Sequence, residues 1–101
     1  MASINYTTSS DKKTASAQIM ALPGALCGID VQAPSSGQTT LYVYDSENSS
    51  LSGKKIIAEV IVDAGFGGMQ HEYFMPAVVN RGIYVDMVGT DASYIVRFIA
   101  G

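Results

Sequence analysis

The chain has 101 residues, of which 48% are hydrophobic and only 15% are charged, and its formal net charge is −3. This length suits one domain with a single core, and the balance of residues excludes an intrinsically disordered chain and a coiled coil. The six Lys and Arg residues form no basic stripe, so we expect no nucleic-acid binding. No apolar run reaches the length of a membrane helix, so we expect no membrane partner either.

Residues 1–13 are polar and rich in Ser and Thr, and Ile4 and Tyr6 are their only sizeable apolar side chains. Alone, such a segment does not offset the entropy lost on ordering. We therefore predict an extended N-terminal arm over residues 1–13, followed by a single domain over residues 14–101. The arm is either a frayed terminus or a segment that orders against a neighbouring subunit through Ile4 and Tyr6.

After the arm, alternating apolar and polar residues recur in short segments separated by Gly, Pro, Ser and Asn, and no window has sustained helical periodicity. Gly89-Thr90-Asp91 has the composition of a short hairpin connection. The pattern predicts an all-β fold, an antiparallel β-sandwich of jelly-roll or immunoglobulin-like type with about seven strands. The predicted strands cover residues 15–21, 25–32, 39–45, 56–63, 69–75, 82–88 and 92–99.

Strict alternation also predicts which side chains share a face of each strand. In the second strand it places Cys27 on the apolar face with Ala25, Ile29 and Val31. In the fourth strand it places Ile56 on one face with Ala58, Val60 and Val62. In the sixth strand it places Ile83, Val85 and Met87 on one side and Tyr84 and Val88 on the other. Large apolar groups on both sides of a strand indicate an outer face that either a partner or a loop covers.

Few residues offer chemistry. The single histidine, His71, has no recognisable nucleophile motif around it, and the single cysteine, Cys27, is interpreted as a small buried hydrophobe. One Cys and one His fall short of a zinc site, and the loop acids lack a calcium-binding motif. We therefore expect no enzyme activity, no catalytic residue, no metal and no cofactor. With one cysteine there is no intrachain disulfide, which suits synthesis in a reducing cytoplasm.

The tyrosines allow a binding role. There are six of them and no tryptophan, and Tyr42 and Tyr44 share one face of a predicted strand. Tyrosines are frequent in cores and at protein interfaces. Adjacent on one face, they also suit the stacking of a sugar ring. Gly65-Phe66-Gly67-Gly68 lacks the Lys and Ser/Thr of a phosphate loop, and its glycines allow Phe66 to approach a neighbour closely.

Two stretches carry a resemblance to a known group. They are LYVYDSENSSLSGKKIIAEVIV, residues 41–62, and MPAVVNRGIYVDMVGTDASYIVRF, residues 75–98. The order of Tyr-Asp, a Ser-rich loop, Gly, an apolar strand, Gly-Ile-Tyr-Val, Gly-Thr and a closing apolar strand is similar to that of small virion proteins of tailed bacteriophages. The resemblance covers roughly residues 24–99.

This resemblance implies a head decoration or cement protein, a β-sandwich that acts as a homotrimer on the major capsid protein. The location it implies is the virion, after synthesis in the host cytoplasm. The residues that we expect to face neighbouring subunits are Ile4, Tyr6, Phe66, Tyr73 and Phe74. The alternative hypothesis is a tail- or fibre-associated module that binds a cell-surface glycan.

Overall fold

The fold was described from a computed structural model, which covers residues 7–34, 36–64 and 68–100; for residues 68–75 it describes the backbone alone. All regular structure in these residues is β-strand. The eight strands are β1 (Thr8–Ser9), β2 (Ala17–Met20), β3 (Gly24–Gln32), β4 (Thr39–Asp45), β5 (Lys55–Val62), β6 (Gly68–Val79), β7 (Ile83–Val88) and β8 (Ser93–Ala100).

The strands form two four-stranded antiparallel sheets, with the orders β1-β8-β3-β6 and β2-β7-β4-β5. This arrangement confirms the predicted all-β class and is that of a β-sandwich. The strand count is eight instead of seven. The additional strand is β1, which lies within the predicted N-terminal arm and pairs with β8.

The pairing is nested. Only β4 and β5 form a hairpin of consecutive strands, and β3 then pairs with β6, β2 with β7 and β1 with β8. The predicted hairpin at Gly89-Thr90-Asp91 is therefore wrong, because β7 and β8 belong to different sheets and this turn crosses between them. Asp91 has a φ of 58°, a conformation that Asp tolerates better than most residues.

The core fills the space between the sheets. Leu26, Ile29, Leu41, Ile83 and Tyr94 are among its largest side chains, and each is at most 1% exposed. Burial of such side chains supplies the main free energy of folding. Tyr94 on β8 spans the sandwich, and its hydroxyl donates a hydrogen bond of 2.7 Å to the Ala15 carbonyl just before β2. Burial raises the pKa of the Tyr94 hydroxyl well above its ordinary value.

β-Bulges overturn two of the predicted faces. In β3 the register shifts between Leu26 and Gly28, so Leu26 joins the core cluster with Ile29. In β5 the register passes from Ala58, opposite Val43, to Ile56, opposite Tyr44, so one extra residue lies in between. The extra residue reverses the alternation, and Ile56 is 48% exposed instead of sharing the buried face of Val60.

β6 extends beyond its predicted end at Pro76 to Val79. From the pair Leu26–Ala77 to the pair Gly28–Glu72, β3 advances by two residues while β6 advances by five. The excess residues form a bulge in β6 that includes Pro76. Proline is tolerated there because β6 is the edge strand of its sheet, where a backbone N–H is not needed for a second ladder.

Candidate functional site

The outward side of the sheet β2-β7-β4-β5 brings three tyrosines together. Tyr44 on β4 lies directly opposite Tyr84 on β7. Tyr42 lies two residues before Tyr44, on the same side of β4. The inward neighbours Leu41, Val43 and Val85 are fully buried, so alternation turns the tyrosines outward. We call this surface the tyrosine face.

Three cross-strand rows make up the tyrosine face. The first row is Gln18, Tyr84, Tyr44 and Ile56; the second is Ser16, Asp86, Tyr42 and Glu59; the third is Val88, Thr40 and Ile61. No Lys or Arg occurs at any of these eleven positions. The eleven positions hold three tyrosines, three aliphatic residues and five polar or charged residues, and the only charged groups among them are the carboxylates of Asp86 and Glu59 in the middle row.

Aliphatic side chains on this face are strongly exposed. Ile56 is 48%, Ile61 47% and Val88 54% accessible to solvent. A single exposed aliphatic residue is ordinary. Here three of them lie in the rows that hold the partly buried tyrosines: Ile56 lies beside Tyr44, and Ile61 and Val88 flank Thr40 in the third row. Tyrosine enrichment is typical of the centre of a protein interface.

Polar groups in the middle row are held in place. The Ser16 hydroxyl donates to Asp86 Oδ1 at 3.1 Å and accepts the backbone N–H of Met87 at 2.9 Å. This bond fixes one carboxylate beside Tyr42, and Glu59 lies on the other side of Tyr42 in the same row. The row thus offers an aromatic ring between two hydrogen-bond acceptors.

A buried carboxylate supports the end of the tyrosine face. Asp45, the last residue of β4, is 7% exposed and accepts backbone N–H groups from Asn80, Arg81 and Gly82 at 2.8–3.3 Å. Burial by itself raises the pKa of the Asp45 carboxyl. The three N–H donors and the Arg81 charge outweigh it, so the net pKa lies below the ordinary value.

The turn that follows β6 is closely packed against this carboxylate. A Cβ at Gly82 would lie 2.3 Å from the Met20 carbonyl oxygen and 2.8 Å from that of Ser46, so only glycine fits. The Gln18 side-chain nitrogen lies within 3.1 Å of the carbonyl oxygens of Met20, Ser46 and Ile83. These contacts fix the junction of β2, β4 and β7.

The opposite outer face, on the sheet β1-β8-β3-β6, is different. There Arg97 forms a two-pronged ion pair with Asp30 across β8 and β3. Val78 on the edge strand is 72% exposed and pairs with Ala25, which pairs with Ile99. The described side chains of this face therefore combine a fixed charge pair with an aliphatic strip, and none of them is a tyrosine.

A cleft of about 660 Å³ opens at one end of the sandwich. It is lined by Lys12, Thr14, Gln32, Ala33, Asp91, Ala92 and Ser93. The charged residues of this lining, Lys12 and Asp91, are exposed to solvent, so the cleft offers no desolvated charged group for catalysis.

Among the described residues, no three His, Cys, Asp or Glu side chains are placed to hold a metal ion. In the same residues no helix is long and apolar enough to cross a bilayer.

The five predicted interface residues fall outside the described side chains. Ile4, Tyr6 and Phe66 lie outside the described residues, and Tyr73 and Phe74 lie in the bulged stretch of β6, where the backbone alone is described. His71, which is also in β6, pairs with Ile29 in β3. The prediction that Cys27 is a buried hydrophobe is confirmed, since it is 8% exposed.

Sequence reasoning found part of the tyrosine face. The prediction that Tyr84 and Val88 lie on the other side of β7 from Ile83 and Val85 is confirmed, since Ile83 and Val85 are fully buried while Tyr84 is half-buried and Val88 is 54% exposed. Ile56 was missed, because nothing in the run Lys55-Ile56-Ile57-Ala58 marks the bulge that turns it outward.

Comparison with known proteins adds no relative: no family model, curated protein or solved structure gives a significant match to this chain.

Proposed function

We propose that this chain is a structural protein of a tailed-bacteriophage virion that binds the outside of the head and stabilises it through protein–protein contacts. The observation that carries the proposal is the tyrosine face, which exposes three tyrosines and three aliphatic side chains outside the core. Its partner would be the major capsid protein. The homotrimer stays a prediction from the resemblance.

The strand order supports this proposal. Two sheets ordered β1-β8-β3-β6 and β2-β7-β4-β5, with nested antiparallel pairing, correspond to the eight-stranded jelly roll. This architecture is frequent among viral capsid proteins and lectins. A fold does not establish a function, so the fold supports the sequence resemblance but does not replace it.

Physical chemistry supports cementing by this face. Burial of apolar surface gives about 25 cal/mol per Å², and part of that gain is offset by the cost of association. One small module therefore binds weakly, and a stable coat arises from many copies on one shell. The rigid sheet favours such binding, because its side chains lose little further freedom on contact.

A matched pair of valines tests the proposal. Val88 lies on the tyrosine face at 54% exposure and Val78 on the opposite face at 72% exposure. Purified heads stripped of this protein are mixed with the wild type, Val88→Lys or Val78→Lys, and the bound protein is measured by co-sedimentation. We expect binding and restored thermal stability of the heads for the wild type and Val78→Lys, and a loss of about tenfold or more in affinity for Val88→Lys.

Two results would contradict the proposal. The first is a wild-type protein that never sediments with heads. The second is equal binding by all three proteins, which would exclude the tyrosine face as the contact surface.

Glycan binding is the second candidate, and the middle row of the tyrosine face favours it. Tyr42 lies between the carboxylates of Asp86 and Glu59, which suit the hydroxyl groups of a sugar stacked on the ring. A glycan array separates the two functions. A saturable signal that disappears in the double variant Tyr42→Ala, Tyr44→Ala supports a tail or fibre module, whereas cementing predicts no signal.

A further inference from the structure

We propose that β5 is a pairing edge, through which two copies of this chain join their β2-β7-β4-β5 sheets into one continuous eight-stranded sheet. β5 is the terminal strand of that sheet, and in the described part of the chain no strand lies beyond it. Its outer edge therefore presents unpaired backbone N–H and C=O groups, which are a template for a further strand.

The other three edges are blunted in ways that proteins commonly use. β1 has two residues and β2 has four, which is too short for a stable ladder with another chain. β6 is long, but its bulge and Pro76 interrupt the edge. β5 lacks these devices between Ala58 and Val62, where its register with β4 is unbroken. This stretch contains no Pro, Lys or Arg and one charge, Glu59.

The sequence of the edge selects one register for the pair. In an antiparallel pair about a two-fold axis at Val60, Val60 faces its own copy, Ala58 faces Val62 and Glu59 faces Ile61. Moving the axis to Glu59 places two carboxylates opposite each other, and moving it to Ile61 places Glu59 opposite Asp63. Like charges directly opposite each other are destabilising, so both alternatives are disfavoured.

A shift of the axis by half a residue is disfavoured for another reason. Val60 is 2% exposed and faces the core, whereas Ile61 is 47% exposed and faces outward. Directly opposite residues of an antiparallel pair point to the same side, so placing Val60 opposite Ile61 would turn the core face of one copy toward solvent. The register centred on Val60 keeps both cores inside.

The length of the ladder and the direction of the two-fold axis set the expected affinity and geometry of the dimer. A ladder of five residues buries less than the roughly 800 Å² per partner of a standard interface, so we expect a dissociation constant in the micromolar range. Because the two-fold axis is perpendicular to the sheet, both tyrosine faces lie on the same side. If the proposed head binding holds, the pair would bind a shell with the avidity of two linked sites.

The experiment uses the full chain alone, without capsids, in sedimentation-velocity runs from the micromolar range to about 1 mM. Ile61→Glu and Val88→Glu are a matched pair, since both residues flank Thr40 in one row of the tyrosine face and only Ile61 is on the edge. We expect a monomer–dimer equilibrium for the wild type and Val88→Glu. In the proposed register Ile61→Glu places two carboxylates opposite each other twice, so we expect a dimer weaker by about tenfold or more.

Hydrogen exchange gives a second, independent measurement on the wild-type protein. Amides of residues 58–62 should exchange more slowly as the concentration rises, because pairing occupies their free edge. The proposal is overturned by a monomer at every concentration or by exchange of residues 58–62 that is independent of concentration. A mass of three copies would also overturn it and would instead support the homotrimer that the resemblance implies. Equal weakening by Val88→Glu would assign the contact to the face instead of the edge and would also overturn the proposal.

Discussion

The Asp45 carboxylate accepts the backbone N–H of Arg81 at 2.8 Å, which ties the end of β4 to the turn between β6 and β7. Asp45 pairs with Ile83 in the same sheet, one position beyond the pair Tyr44–Tyr84. The position of the two tyrosines therefore depends on a buried acceptor next to them. The surface that we propose to be functional is supported by a polar contact inside the fold.

We predict that Asp45→Ala lowers the free energy of unfolding by about 2–3 kcal/mol, because it leaves three backbone N–H groups without their acceptor. Asp45→Asn keeps one acceptor oxygen but loses the charge, and should cost less. Urea denaturation at neutral pH measures both values. Asp63→Asn is the control, since Asp63 is exposed and, within the described part of the chain, accepts one surface hydrogen bond, from Gln38. A loss at Asp63 equal to that at Asp45 would contradict the prediction.

The same carboxylate makes stability depend on pH. Its folded pKa lies below the ordinary value of 3.8, so its contribution is fully present above about pH 5 and is lost as pH falls through the lowered folded pKa. The stability difference between the wild type and Asp45→Asn should therefore shrink as the pH falls below 4. Denaturation curves over an acid pH series measure this difference, and a constant gap would contradict the assignment.

The amount of structure that was predictable differs between the strands. β7 follows strict alternation, so the sequence predicted that Ile83 and Val85 share one side and that Val88 lies on the other, and their exposures confirm this. β3 and β5 contain bulges, and one extra residue reverses the faces on one side of each bulge. A bulge depends on the pairing of one strand with another, so periodicity within one segment does not reveal it.

The sheet order was beyond prediction for a related reason. Nested pairing joins β3 to β6 and β2 to β7, strands that are far apart in the chain, and no local pattern specifies such partners. Turn residues such as Gly89 and Asp91 suit a hairpin as well as a crossing between sheets. The tyrosine face was foreseen only in its separate strands, because its rows form when β4, β5 and β7 align.

The bulge in β3 gives a second stability prediction. Leu26 is fully buried in the core cluster, whereas Cys27 is 8% exposed and lies at the bulge. Leu26→Ala should therefore cost about 3–4 kcal/mol through the lost burial and the cavity left behind, and Cys27→Ala about 1 kcal/mol. Thermal and urea denaturation of the two variants provide the comparison. If Cys27→Ala proves the more damaging, strict alternation holds and the bulge is misplaced.

A buried hydroxyl leads to a prediction that a substitution raises the free energy of unfolding. Thr39 is fully buried, and its Oγ1 has no hydrogen-bond partner among the described residues. Thr39→Val keeps the shape and removes the unsatisfied group, so we expect it to raise the free energy of unfolding by about 1 kcal/mol. Thr39→Ser is the matched control, because it keeps the hydroxyl and removes a buried methyl group, and it should be destabilising. A destabilised Thr39→Val with a stable Thr39→Ser would show that the hydroxyl is bonded.

The contact across the sandwich gives the last prediction. Tyr94 is 1% exposed, and its hydroxyl donates to the Ala15 carbonyl at 2.7 Å. Tyr94→Phe keeps the ring and should cost about 1 kcal/mol at neutral pH, because the hydrogen bond to the Ala15 carbonyl is lost. The raised pKa means that the folded state holds the phenolic proton more tightly than the unfolded state. Wild-type stability should therefore fall as pH rises above 10, and the Tyr94→Phe variant should lose less over the same range. Urea denaturation of both proteins in alkaline buffers tests this, and parallel losses would mean that the Tyr94 hydroxyl is not the group that titrates.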